Sequence, residues 1–147
     1  MKNNKGFSLV ELIIVIAIMA ILVGVMAPQL IKYIEKTNQA SDVQLCDSVK
    51  TAITTGYMDP SVAKTGLTLA NGDKGIEATC VNTDMKNAVA EILNSSVGNI
   101  DSDMNAKRKS KLGKDAANTI KVHVANDGGT IEVYMDALSG TITTQAK

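Results

Sequence analysis

The chain has 147 residues, 45% of them hydrophobic, and its fifteen basic and fifteen acidic residues cancel at neutral pH. That length suits one domain of ordinary size, and a zero net charge supplies no global field that would draw nucleic acid to the molecule. Three Tyr, one Phe and no Trp leave the core to aliphatic residues, and two cysteines exclude a disulfide framework.

The head of the chain is its most apolar part: from Phe7 to Ile31 only Ser8, Glu11, Pro28 and Gln29 are neither apolar nor glycine. As a helix rising ~1.5 Å per residue this stretch spans about 37 Å, more than the roughly 30 Å hydrocarbon layer of a bilayer. Three readings compete for it. A secretory signal peptide would take Lys2 and Lys5 as its basic start and Val25-Met26-Ala27 as its cleavage site, but Pro28 would then follow the cut and Glu11 would open the apolar stretch. A plain membrane anchor would be oriented by Lys2 and Lys5, with Ser8 and Glu11 forming a capping box at the helix start.

The third reading rests on a resemblance. The run Lys5-Gly6-Phe7-Ser8-Leu9-Val10-Glu11, followed by an unbroken apolar segment and Pro28, resembles the class III signal of type IV pilins and pseudopilins. The resemblance implies that a prepilin peptidase cuts between Gly6 and Phe7 and N-methylates Phe7, that the apolar helix is retained, and that Glu11 pairs with the new amine of a neighbouring subunit. It divides the chain into a leader (1–6), a transmembrane and filament-core half-helix (7–31), an amphipathic half-helix (32–58) and a globular head (59–147). A charge in the bilayer interior costs about 2.5–3.5 kcal/mol even on mild scales, so Glu11 is expected to have a partner.

Helical character continues through Tyr57, with apolar or small residues at Leu30, Ile31, Ile34, Ser41, Leu45, Ser48, Val49, Ala52 and Ile53, and Gly56 with Asp59-Pro60 as the exit. A helix of that length, about 75 Å, exceeds what a small domain can enclose, so half of it is expected to protrude. Gly24 and Pro28 weaken helical hydrogen bonding and predict a kink. Ala20 stands where many of the pilins carry another glycine.

Residues 61–82 read as an irregular connection with at most one short strand, and 84–94 as a short amphipathic helix with Thr83 as its cap. Residues 98–118 are polar, and Lys107, Arg108, Lys109, Lys111 and Lys114 place five cations in eight positions. This run is either a solvated loop or a patch for anionic surfaces, host cells or DNA, where many copies on one fibre would add avidity. Alternation at Ile120, Val122 and Val124, then at Ile131, Val133 and Met135, predicts a hairpin, with a third strand at 141–145. The fold expected is α+β, a long protruding N-terminal helix on an antiparallel meander of about three strands with one short extra helix.

Catalytic signals are missing from this pattern. The single histidine, His123, falls on the solvent face of a strand, and no nucleophile set, phosphate loop or metal-ligand spacing occurs. Asp127 and Asp136 resemble part of the calcium region of secretion pseudopilins but lack a denser acidic cluster, so no metal or other cofactor is expected. Cys46 and Cys80 could close a loop of about 35 residues, worth roughly 3–4 kcal/mol, or remain as two free thiols. Many Gram-negative major pilins bridge a C-terminal loop, and the lack of cysteine after Cys80 points to a Gram-positive source.

The function expected from the resemblance is structural and not enzymatic: a type IV pilus subunit serving adhesion, motility or aggregation. Its partners would be copies of itself in a helical filament, the prepilin peptidase and the assembly machinery. It would start as a single-pass protein of the inner or cytoplasmic membrane and end in an extracellular pilus. The alternatives are a pseudopilin of a type II secretion or DNA-uptake system, and a monomeric membrane-anchored binding module.

Overall fold

A computed structural model describes residues 8–63, 69–116, 118–125 and 130–135, Ala63 by its backbone alone. Helix α1 runs Leu9–Tyr57, followed by α2 (Pro60–Ala63), β1 (Gly72–Lys74), α3 (Ile76–Thr79), α4 (Thr83–Leu93), α5 (Ile100–Ala106), β2 (Lys121–Val124) and β3 (Ile131–Tyr134). The chain divides into two units, residues 1–36 and 37–147. In the first unit the backbone is one continuous helix through Gly24 and Pro28, and every described residue up to Ile34 is exposed.

The second unit holds the core. Cys46, Val49, Ala52 and Ile53 of α1 are buried together with Met85 and Val89 of α4, Ile100 and Met104 of α5, and Val122 and Val124 of β2. The buried stripe of α1 is Asp42, Cys46, Val49, Ala52, Ile53 and Gly56. Of the other residues expected on the buried face, Ser41 and Leu45 are half-buried at its margin, and Ser48, Leu30, Ile31 and Ile34 are exposed. Gly56 lets α1 and α4 come close, since a Cβ there would meet Val89 Cγ2 at 3.2 Å.

The sheet is antiparallel and three-stranded, in the order β1-β2-β3, with Asp73 opposite His123 and Lys121 opposite Tyr134. Val122 and Val124 turn inward while Lys121 and His123 lie on the other face, as alternation predicts. The hairpin of β2 and β3 agrees with the sequence. The described sheet takes its third strand from Gly72–Lys74, within the stretch read as an irregular connection; the strand expected at 141–145 lies outside the described residues. Gly-Asp-Lys has no alternation to announce a strand, and pairing with β2 supplies what local propensity does not.

Among the described residues, four helices follow α1 where one was expected. Helix α5 replaces part of the polar loop read at 98–118, because Ile100 and Met104, four residues apart, both bury on one face. Its start is tied to α3 by reciprocal caps: Ile100 N–H donates to Glu77 Oε1 at 2.7 Å, while Ile76 and Glu77 N–H donate to the Asp101 carboxylate at 2.6 and 3.1 Å. Orphan amides of two short helices are thereby satisfied from each other's side chains. Helix α4 starts one residue early, capped by Asn82, whose side chain accepts from Asp84 N–H at 3.0 Å, and Thr83 is its first residue. Its end is a Schellman turn with Asn94 at φ 50° and Ser95 N–H donating to Ala90 O at 2.9 Å. Asp59 and Pro60 both end α1 and start α2, Pro at the first helical position and Asp59 accepting from Ser61 N–H at 2.7 Å.

Candidate functional site

Among the described residues, the apolar start of α1 carries the longest run of exposed large hydrophobic side chains. Leu12, Ile13, Ile14, Val15 and Ile16 are all about half-exposed, and large aliphatic side chains stay exposed as far as Ile34. The helix is long and apolar enough to cross a membrane, and none of its most hydrophobic 18-residue window is buried. Exposed apolar surface of this extent needs lipid or another chain to cover it.

Glu11 sits in the first turn. Its Oε2 accepts from Ser8 N–H at 3.0 Å, the reach-back half of a capping box, and Leu12 N–H closes the first turn on Ser8 O at 3.3 Å. Glu11 therefore serves its own helix start within one chain, and its position in the positive first turn stabilises the negative charge. Gly6 and Phe7 lie outside the described residues.

Residues 1–27 match the family described as the prokaryotic N-terminal methylation motif. The first 27 residues therefore carry this methylation motif. A type IV major fimbrial protein FimA of Dichelobacter nodosus is 35% identical over 88 residues, 54% of this chain and 56% of that protein. FimA of Dichelobacter nodosus strain VCS1703A is 38% identical over 90 residues, covering 60% and 51% of the two chains. A fimbrial protein of Moraxella nonliquefaciens is 42% identical over 55 residues, 37% of this chain and 36% of that one. The matches thus span between about a third and just over half of these relatives. No solved structure matches the chain. The described residues combine a long helix with a small antiparallel sheet and short helices, the α+β arrangement expected from the sequence.

The cation run belongs to the second unit and is not a loose loop. Asp42, 1% exposed on α1, accepts Lys109 N–H at 2.7 Å and Ser110 N–H at 3.0 Å, and the Ser110 hydroxyl donates to it as well. Gly113 N–H donates to Ser110 Oγ at 2.8 Å, and a Cβ at Gly113 would sit 2.2 Å from Asp42 Oδ2, so only glycine fits. Arg108 is spent on structure: its Nε donates to Asn105 O at 2.7 Å, and Nη1 to Asp115 O at 3.3 Å and to Asn118 O. Lys107 Nζ makes a long 3.4 Å contact with Leu93 O. Lys111 has a partner too, while Lys109 and Lys114 join Lys107 along an open groove.

Asp42 was not singled out from sequence. Its signal was its spacing, four and seven residues before Cys46 and Val49, which places a carboxylate on the buried stripe. Cys46 and Cys80 are both buried and unbridged in the structure. Burial, aided for Cys46 by Asp47 and Asp42, pushes each thiol up to about 12, which makes both poor nucleophiles. His123 is partly exposed and its Nδ1 lies 2.7 Å from Asp73 Oδ1 across β1 and β2. Hydrogen bonds from His123, then from Tyr134, hold Asp73 below the usual carboxylate range. Among the described residues no group of three or more His, Cys, Asp or Glu could hold a metal ion; Asp127 and Asp136 lie outside them.

Proposed function

We propose that the chain is the structural subunit of a type IV pilus, polymerising through its N-terminal helix into a surface filament. The observation that carries this reading is the combination, in one segment, of the methylation motif over residues 1–27 with a helix whose apolar surface is left wholly uncovered. Similarity to type IV major fimbrial proteins supports a filament subunit over a solitary anchored module. The segment first resides in the cytoplasmic membrane, and after removal of residues 1–6 the same surface packs against copies of itself in an extracellular fibre.

Glu11 supplies registration in this reading. Cutting between Gly6 and Phe7 creates a charged amine four residues before it, and the carboxylate of one subunit takes the methylated amine of the next as its partner in a water-poor bundle. Such pairing fixes the axial position of each incoming subunit, which apolar packing alone does not. Gly24 and Pro28 weaken the helix ladder midway, allowing the rod to bend against its neighbours. The test is co-expression of Glu11→Ala subunits with the assembly machinery. Variant subunits should be processed yet enter filaments at least roughly tenfold less than wild type, the cost of one unpaired charge in a low-dielectric site. Equal incorporation would refute the registration role.

A further inference from the structure

We infer that the groove between α1 and the 107–114 loop is a binding site for an anionic polysaccharide. It has a volume of about 640 Å³ and is lined by Ser41, Gln44, Leu45 and Ser48 of α1 facing Lys107, Lys109 and Lys114. Among the described residues, its lining contains no Asp or Glu. The inference is independent of the filament reading, since the groove is complete within one chain.

Two features separate this groove from a solvated run of lysines. The loop is held in one conformation by a buried carboxylate: Asp42 takes both amides at positions 109 and 110, and Arg108 locks the loop's flanks onto the carbonyls of Asn105, Asp115 and Asn118. The neighbouring carboxylate is thus consumed by backbone donors, and the cations are left facing the groove. Lys109 and Lys114 have no side-chain partner of their own among the described residues, so a ligand meets preorganised, unneutralised charge. A mobile loop would have to be ordered at the moment of binding, and this one is already ordered.

The floor decides the ligand class. Ser48 Oγ donates to Gln44 O at 2.9 Å, which spends its only proton and leaves the hydroxyl as an acceptor on the groove lining. An acceptor on the same lining as Lys109 and Lys114 calls for a ligand with both anionic groups and hydroxyl donors. A sulfated or carboxylated sugar chain has both, whereas the phosphodiester backbone of DNA has no donor. The lining offers no aromatic face for a base to stack on and no free guanidinium fork.

The test is titration of the detergent-solubilised full chain with a heparin-derived sulfated oligosaccharide, against duplex DNA of matched total charge. Wild type should bind the oligosaccharide more tightly than the DNA. Lys109→Ala with Lys114→Ala should weaken the oligosaccharide roughly tenfold with an unchanged thermal melt. Lys74→Ala with Lys86→Ala, which removes the same charge elsewhere, should shift it less than about twofold. Ser48→Ala should weaken oligosaccharide binding and leave DNA binding unchanged. The inference falls if wild type does not bind the oligosaccharide, if the two double variants weaken it equally, or if DNA binds more tightly and Ser48→Ala is silent on both probes.

Discussion

Asp42 shows how a single buried acid can order a surface. It gives up solvation and receives two amides and a hydroxyl of the 109–110 turn. Replacing it by Ala strands two buried donors, so Asp42→Ala should destabilise the folded chain by about 2–4 kcal/mol in urea titration and release amide-exchange protection at Lys109 and Ser110. Gly113→Ala should fail in the same way, because its Cβ would overlap the Asp42 carboxylate, while Gly24→Ala meets nothing within 4 Å and should be tolerated. Titratable groups supply a second check at this scale. Asp73 is more acidic folded than unfolded, so its contribution to stability is present above the ordinary value of 3.8 and lost as pH falls through the lower folded value. Asp73→Asn should therefore flatten the acid limb of the stability profile below about pH 4. The thiols run the other way: raised from 9.0 to about 12, they stabilise the fold below pH 9 and progressively less as pH climbs towards 12. At pH 8 an alkylating reagent should modify Cys46 and Cys80 only at the rate of unfolding.

At the level of elements, periodicity carried the reading as far as it could. The long helix, its exit before Pro60, the helix at 83–93 and the hairpin of β2 and β3 were all legible, because each repeats a burial pattern over several residues. What was illegible depends on contacts far apart in sequence. Strand β1 has three residues and no pattern, and exists because Val122 and Val124 of β2 bring a paired edge to it. Helices α3 and α5 are four and seven residues long, below what intrinsic propensity sustains, and hold through the exchanged Asp101 and Glu77 caps. Breaking that exchange should unfold both elements together: Asp101→Ala should cost about 1–3 kcal/mol and raise amide exchange at Ile76 and at Ile100 alike, although the second amide never touched the substituted residue. The difference at the start of the buried stripe of α1, Asp42 and Cys46 in place of Ser41 and Leu45, has the same origin. Ser41 and Leu45 satisfy the helical period as well as Asp42 and Cys46 do, and the partner loop decides between them. The basic run was visible as composition, and its rigidity was not, because the Lys109 and Ser110 amides reach Asp42 across 67 and 68 positions.

For the molecule as a whole, the described residues of the second unit bury a core of their own, while those of the first up to Ile34 are exposed. Large aliphatic side chains from Leu9 to Ile34 are exposed, and on the proposed reading they are covered by lipid first and by sister subunits later. That exchange requires the apolar segment to stay attached while the leader ahead of it is removed, which a secretory signal peptide and a plain anchor do not do. The measurement that bears on this most directly is the intact mass of the chain isolated from cells that express it at native levels. The account predicts a chain that begins at Phe7, lacks residues 1–6, carries one added methyl group at its amine and retains the whole of α1. A chain that keeps Met1, or one cut after Ala27, would contradict it.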